Sequence, residues 1–118
     1  MKKLFIALLI LGINAFSFEH LDMDKYLQLK NKKEDYIIDF YAPWCPPCQI
    51  MGEYLKEFKN YKGIKIYKVN IDESKDLASL FNVTSIPTLI FVKNSTIVNK
   101  INGLIPSSAL KEEMEKSF

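Results

Sequence analysis

Two cysteines, Cys45 and Cys48, are the only thiols in the chain, and they stand three positions apart in Trp44-Cys45-Pro46-Pro47-Cys48. Thiols at this spacing can close a small disulfide ring and reopen it. The segment lies where an extended apolar run, Tyr36 to Tyr41, gives way to a helical pattern. A helix start exposes unpaired N–H groups and the positive end of the macrodipole, so a cysteine placed there is stabilised as thiolate. Cys45 is the candidate nucleophile. Cys48, one turn further in and more buried, is the candidate that resolves a mixed disulfide formed at Cys45.

Other uses of the pair fit less well. A bridge between Cys45 and Cys48 closes too short a loop to stabilise a fold by much. Metal binding would need two more ligands, and His20 is the only histidine, so no metal is expected unless a site is shared between two chains.

The amino terminus reads as a secretory signal peptide. Lys2 and Lys3 precede an apolar run from Leu4 to Ile13, and Ala15-Phe16-Ser17 resembles a small-residue cleavage site, so cleavage is expected after Ser17. An uncleaved anchor is the alternative. Ten helical residues rise only about 15 Å, roughly half of a bilayer's hydrocarbon core. No cysteine lies near the cleavage site to carry a lipid. The organisation expected is a leader, 1–17, and a single domain, 18–118.

Without Lys2 and Lys3 the 16 basic residues fall to 14, against 14 acidic ones, and none of the basic residues is arginine. A near-neutral chain without bidentate phosphate binders gives no reason to expect a nucleic-acid partner. Residues 18–118 suffice for one compact core. A monomer is expected.

The elements that would position the cysteines follow from periodicity. Phe18 to Leu21 suits a short edge strand and Asp22 to about Lys30 a small helix. Asn31 to Asp35 is a charged turn. Tyr36 to Tyr41 is apolar on both faces except at Asp39, as in a central strand covered on both sides. Ile50, Met51, Tyr54, Leu55, Phe58 and Tyr61 recur at helical spacing, which predicts one long helix from Cys45 to about Tyr61. Gly63 ends that segment, and Ile64 to Ile71 alternates as a second inner strand. Leu77, Leu80 and Phe81 mark a short helix after Ser74. Thr88 to Lys93 and Ile97 to Ile101 are strands joined by a hairpin turn at Asn94-Ser95. Pro106 or Ser107 opens a last helix with Leu110, Met114 and Phe118 on its inner side. The order is β-α-β-α-β-α-β-β-α.

Asp39 is a carboxyl group in a strand that should be buried. Such a group must be paired, or its pKa must rise until it is neutral, and a pKa raised toward neutrality suits a proton acceptor. Lys68, on the adjoining strand, is the candidate partner.

Taken together, these segments resemble the thioredoxin family over essentially all of 18–118. Asp-Phe-Tyr-Ala-Pro-Trp-Cys-Pro-Pro-Cys (39–48) is similar to the family's strand-to-active-site segment. Lys68-Val69-Asn70-Ile71-Asp72 is similar to its next inner strand, and Thr84-Ser85-Ile86-Pro87-Thr88 to the loop holding its cis-proline. Gly103 stands where the family has a glycine. The resemblance implies an α/β thioredoxin fold, a central mixed sheet flanked by helices. It implies that Asp39 takes the proton of Cys48 as Cys48 attacks, and that Pro87 is cis and lies against the disulfide. Ile86 would then be free to pair with an extended substrate by strand addition. Trp44, Pro46, Pro47, Ile86, Pro87 and Gly103 would make the substrate surface.

Three departures from the family stand out. Pro46 replaces the usual glycine between the cysteines, and Glu53 stands where a proline usually kinks the active-site helix, so a straighter helix is expected. An export leader is the third, since typical thioredoxins are cytosolic. The resemblance implies a thiol–disulfide oxidoreductase, and with the leader the expectation is an exported, periplasmic reductant of client proteins such as apocytochrome c cysteines. No cofactor is implied beyond the Cys45–Cys48 disulfide. Electrons would come from a membrane thiol–disulfide transporter. A disulfide-donating oxidant or isomerase is the alternative within the family, and a non-catalytic binding module the alternative outside it.

Overall fold

The strand Tyr36–Tyr41 (β2) is the centre of the molecule, buried from Tyr36 through Phe40 and paired on both edges. The structure, a computed structural model, describes residues 18–118. The leader and its cleavage site after Ser17 lie outside the described residues. Among those described, no helix is long and apolar enough to cross a membrane.

In chain order the elements are β1 (Glu19–His20), α1 (Met23–Leu29), β2, α2 (Pro46–Lys56), a 3-10 turn (Tyr61–Gly63), β3 (Lys65–Asn70), α3 (Lys75–Leu80), β4 (Thr88–Lys93), β5 (Thr96–Asn102) and α4 (Ser107–Ser117). The strands form one mixed sheet in the order β1-β3-β2-β4-β5. β3 is parallel to β1 and to β2, whereas β4 is antiparallel to β2 and to β5. The order of elements is that expected from periodicity.

Alternation along the strands divides the core into two layers. Tyr36, Ile38 and Phe40 of β2 join Tyr67, Val69, Ile90 and Val92 on the face covered by α1 and α3. Ile37 joins Ile66, Leu89 and Phe91 on the opposite face, under Met51 and Leu55 of α2 and Leu110 and Met114 of α4. Asp39 shares the second face because it is two residues on from Ile37. The hairpin turn is at Asn94 and Ser95, both with positive φ, which is the backbone a tight two-residue connection between twisted strands requires.

The long helix expected from Cys45 to Tyr61 is shorter in the structure. Cys45 is the N-cap, not a helical residue, and the helix stops at Lys56. Beyond it the amides of Glu57 and Phe58 bond to carbonyls three residues back, and Asn60 turns left-handed at φ 64°. Phe58 is still buried and Tyr61 half-buried against the same core. Tight turns advance by about three residues, so their apolar side chains keep the spacing of a helix. That coincidence is why periodicity extended the helix too far. At Glu53 the helix continues without a break, and the side chain sits in solvent beside Lys56 at 2.9 Å.

This packing makes a contrast between neighbouring α2 positions. Leu55→Ala should lower the unfolding free energy by about 2–5 kcal/mol, and Glu53→Ala by no more than about 0.5 kcal/mol. Urea titration of both variants checks this; equal midpoint shifts would contradict the described seating of α2.

Candidate active site

β2 delivers the chain to the site and α2 carries it away. After Tyr41 the chain passes buried Ala42, then Pro43 and Trp44, and reaches Cys45 in an extended conformation at φ −104° and ψ 105°. Pro46 and Pro47 occupy the first two helical positions, where a missing N–H costs nothing because it has no intrahelical partner. Both are exposed. Cys45 and Cys48 are joined as a disulfide, with Cα atoms 5.2 Å apart. Cys45 is 4 % exposed and Cys48 1 %, so the two sulfurs differ more in their place on the helix than in burial.

The amide of Cys48 donates to Cys45 Sγ at 3.2 Å. The next amide, that of Gln49, donates instead to the Cys45 carbonyl at 3.2 Å. With prolines at 46 and 47, one backbone donor therefore serves the Cys45 sulfur.

Facing the disulfide is the loop before β4. The Ile86–Pro87 peptide bond is cis. Ile86 packs against the cluster of Ala42, Cys45 and Cys48, together with Tyr41 and Ile71. Two hydrogen bonds fix the loop: Thr88 Oγ1 donates to the Ser85 carbonyl at 2.7 Å, and the Gly103 amide donates to the Pro87 carbonyl at 2.7 Å. Gly103 has φ +91°, a conformation that side chains strain. Ile86 itself makes no backbone–backbone hydrogen bond among the described residues, so its amide and carbonyl remain open to an extended peptide.

Beside the cysteines, the Trp44 ring is 65 % exposed. Its Nε1–H donates to Asp72 Oδ2 at 2.9 Å, and the Asp72 amide is held by Asn70 Oδ1 at 2.9 Å. Asp72 thus anchors the indole on the surface. Its place in the segment after β3 was legible, but its contact with Trp44, 28 residues away, was not.

Beneath the cysteines lies the Asp39–Lys68 pair. The parallel register of β2 and β3 sets these two residues opposite one another, and Lys68 Nζ stands 3.5 Å from Asp39 Oδ2. At that distance the contact is an ion pair and not a hydrogen bond, and neither carboxylate oxygen has a hydrogen-bond partner among the described residues. Asp39 is fully buried, Lys68 18 % exposed at its side chain. Burial pushes the Asp39 carboxyl up to about 6, with the Lys68 charge pulling the other way. A cleft of about 290 Å³ lies alongside, lined by Tyr41, Cys48, Gly52, Glu53, Lys56 and Lys68 among others. Cys48 and the lysine at the buried carboxylate therefore border one solvent space. Gly52 lies beside the ammonium: a Cβ there would stand 3.4 Å from Lys68 Nζ, at contact distance. Among the described residues no group of three or more His, Cys, Asp or Glu side chains is placed to hold a metal ion.

The family model for thioredoxin matches residues 17–116. The chain belongs to the thioredoxin family. It is 39% identical over 82 residues to thioredoxin 1 of Nostoc sp., covering 68% of this chain and 77% of that one. It is 42% identical over 82 residues to the chloroplastic M-type thioredoxin of Spinacia oleracea, covering 68% of this chain and 45% of that one. This thioredoxin-family chain thus spans about half the length of the M-type relatives it matches, the one from Pisum sativum included at 48%. Among solved structures, oxidised mitochondrial thioredoxin 3 of Saccharomyces cerevisiae superposes with a TM-score of 0.76 at 30% identity, covering 84% of this chain and 94% of that one. The sheet and helices described above are the thioredoxin fold.

The raised pKa of Asp39 has a consequence for stability. The unfolded carboxyl ionises near its ordinary 3.8, the folded one only near 6. Asp39 therefore costs nothing below about pH 4, and its cost grows through the window between the two values and is complete above it. Asp39→Asn should raise the unfolding free energy at pH 7 by up to about 3 kcal/mol, less what Lys68 loses with its partner. The gain should vanish below about pH 4. Denaturant titrations at several pH values check both statements, and a gain independent of pH would contradict the assignment.

Proposed function

We propose that this thioredoxin-family protein is a thiol–disulfide oxidoreductase that reduces disulfides of client proteins. The observation that carries the reading is the Cys45–Cys48 disulfide at the N-terminus of α2, with the Cys48 amide directed at Cys45 Sγ.

In the reduced protein the Cys45 thiolate attacks a client disulfide. An S–S bond forms between Cys45 and one client sulfur, and the other client sulfur leaves as thiolate. Cys48 then attacks Cys45 Sγ. Its proton passes to the Asp39 carboxylate, directly or through water in the bordering cleft. The Cys45–Cys48 disulfide closes and the second client thiol departs, so the client has gained two electrons and the protein has lost them. An acceptor with a pKa of about 6 is ionised near neutrality and still basic enough to take a thiol proton. Trp44, Pro46, Pro47 and the open backbone of Ile86 beside cis-Pro87 form the surface on which an extended client strand would lie.

The surroundings of the Cys45 sulfur support the proposed direction of electron flow. Strong disulfide donors stabilise their reduced form through a well-solvated thiolate. Here Pro46 and Pro47 withdraw two amides and Gln49 donates elsewhere, leaving one amide for Cys45. The reduced form gains less from that environment, which favours the role of reductant over that of disulfide-donating oxidant or isomerase.

The compartment is a proposal that rests on the leader. Lys2, Lys3 and the apolar run from Leu4 to Ile13 support export and cleavage after Ser17, with the periplasm as destination. In an oxidising space the dithiol needs electrons from outside it, and a membrane thiol–disulfide transporter is the source proposed. Apocytochrome c cysteines are clients of the right chemistry.

Equilibration of Cys45/Cys48 in a graded thiol–disulfide buffer tests the direction. A reductant should lie near thioredoxin's roughly −270 mV, and a value above roughly −180 mV would assign it to the oxidants. Cys45→Ser should abolish disulfide reduction, while Cys48→Ser should still react once and accumulate the mixed disulfide, visible by mass spectrometry. The same spectrum of protein recovered after export should start at Phe18.

A further inference from the structure

Four polar side chains meet on the α2 face of the sheet, and the proposed reaction uses only Asp39 among them. Strand register puts three in one row, with His20 of β1 opposite Lys68 of β3, and Lys68 opposite Asp39 of β2. Tyr41 lies two residues beyond Asp39, on the same face. Its ring sits under the lysine, with Nζ 4.3 Å from the ring centroid. Its hydroxyl reaches across to His20 Nε2 at 2.7 Å, and the two rings meet edge to face. The contacts run in one open circuit, His20–Tyr41–Lys68–Asp39.

We propose that Tyr41 is a positioning residue for the resolving step: its ring face, tethered through its hydroxyl by His20, holds the Lys68 ammonium against the Asp39 carboxylate. A lysine side chain is flexible and prefers to extend its charge into water, and the cleft offers Lys68 that water. The ion pair, at 3.5 Å without a hydrogen bond, does not fix the ammonium by itself. A cation within about 6 Å of an aromatic face is attracted by the ring's quadrupole, so the ring gives Lys68 a second reason to stay. The bond to His20 sets the plane of that ring. Burial, with Glu73 and Asp39 adding to it, pushes the Tyr41 phenol above its ordinary range, so the hydroxyl keeps its proton and the tether persists at neutral pH.

The groups that face this circuit come from several elements. Cys48, Glu53 and Lys56 of α2 line the cleft with Tyr41 and Lys68, and Glu73 approaches Tyr41 from the segment after β3. On β4 the residue opposite Asp39 is the apolar Leu89. Lys68 is thus the group that lowers the proton affinity of Asp39 against burial. Displacing it should raise the pH at which Asp39 becomes a carboxylate.

The proposal rests on Asp39 as the acceptor of the Cys48 proton, and two measurements on the purified protein separate them. The first is the Asp39 carboxyl titration by 13C NMR, with the resonance identified by its loss in Asp39→Asn. The wild-type midpoint should lie near 6. Lys68→Met should move it up, and Tyr41→Leu should move it the same way by roughly half a pH unit or more. In the Lys68→Met background Tyr41→Leu should add nothing, because Tyr41 acts through Lys68. Tyr41→Phe keeps the ring and loses the tether, so it should fall in between, and it carries the test if the leucine variant does not fold. The second measurement is the pH profile of mixed-disulfide resolution, which should follow each Asp39 midpoint. If Tyr41→Leu titrates as wild type while Asp39→Asn alters the profile, the positioning role is overturned alone. If Asp39→Asn leaves the profile unchanged, the acceptor reading falls and Tyr41's part in the reaction falls with it.

Discussion

A carboxyl group in the middle of the most buried strand is the constraint around which this site is arranged. Asp39 sits between Ile38 and Phe40, both without solvent exposure, and no hydrogen bond reaches its oxygens among the described residues. An isolated carboxylate there would be very costly. The structure meets that cost in two ways: burial lifts the pKa to about 6, and Lys68 approaches from the next strand. Neither removes it wholly, and the incompleteness is what leaves a base available near neutral pH. A fully satisfied carboxylate would make a more stable protein and a poorer proton acceptor.

The cysteine ring obeys the same economy of donors. Two prolines at the start of α2 shape the helix entry without leaving unpaired amides. They also carry no N–H to donate to the Cys45 sulfur, leaving it the Cys48 amide at 3.2 Å. Thiolate stability and reducing power move in opposite directions. Local backbone chemistry therefore connects the composition of the Cys-Pro-Pro-Cys segment to the hydrogen bonding of the Cys45 sulfur. On the opposite wall, the bonds from Thr88 and Gly103 hold the cis-Pro87 loop still, which keeps the Ile86 backbone presented at small entropic cost when a client strand arrives.

The aromatic residues at the site divide by their partners. Trp44 is exposed yet fixed by Asp72, so it presents apolar area without the freedom that would make binding expensive. Tyr41 faces inward, with His20 at its hydroxyl and Lys68 on its ring. One ring serves the surface and the other the buried pair. Tyr41 ends β2 and Trp44 lies in the connection from β2 to α2, so the two rings stand three residues apart in the chain.

The sequence by itself determined the order of elements and the central position of β2. Alternating and helical spacing follow from where side chains must point to be buried, and a lone Asp in an apolar strand marks itself. Cys45, Cys48 and Asp39 were legible for such local reasons, and Pro87 only through the resemblance to the family. Periodicity misled where tight turns imitate a helix, at Phe58 and Tyr61. What only the tertiary structure decided is which distant residues meet. The β1-β3-β2 register put His20, Lys68 and Asp39 in one row, Tyr41 linked His20 to Lys68, Asp72 reached Trp44, and Gly52 came to lie beside the ammonium. These contacts join residues far apart in the chain. Hydrophobic pattern states which face a residue occupies, but strand register and helix seating decide its neighbours, and both are set by the packing of the whole core.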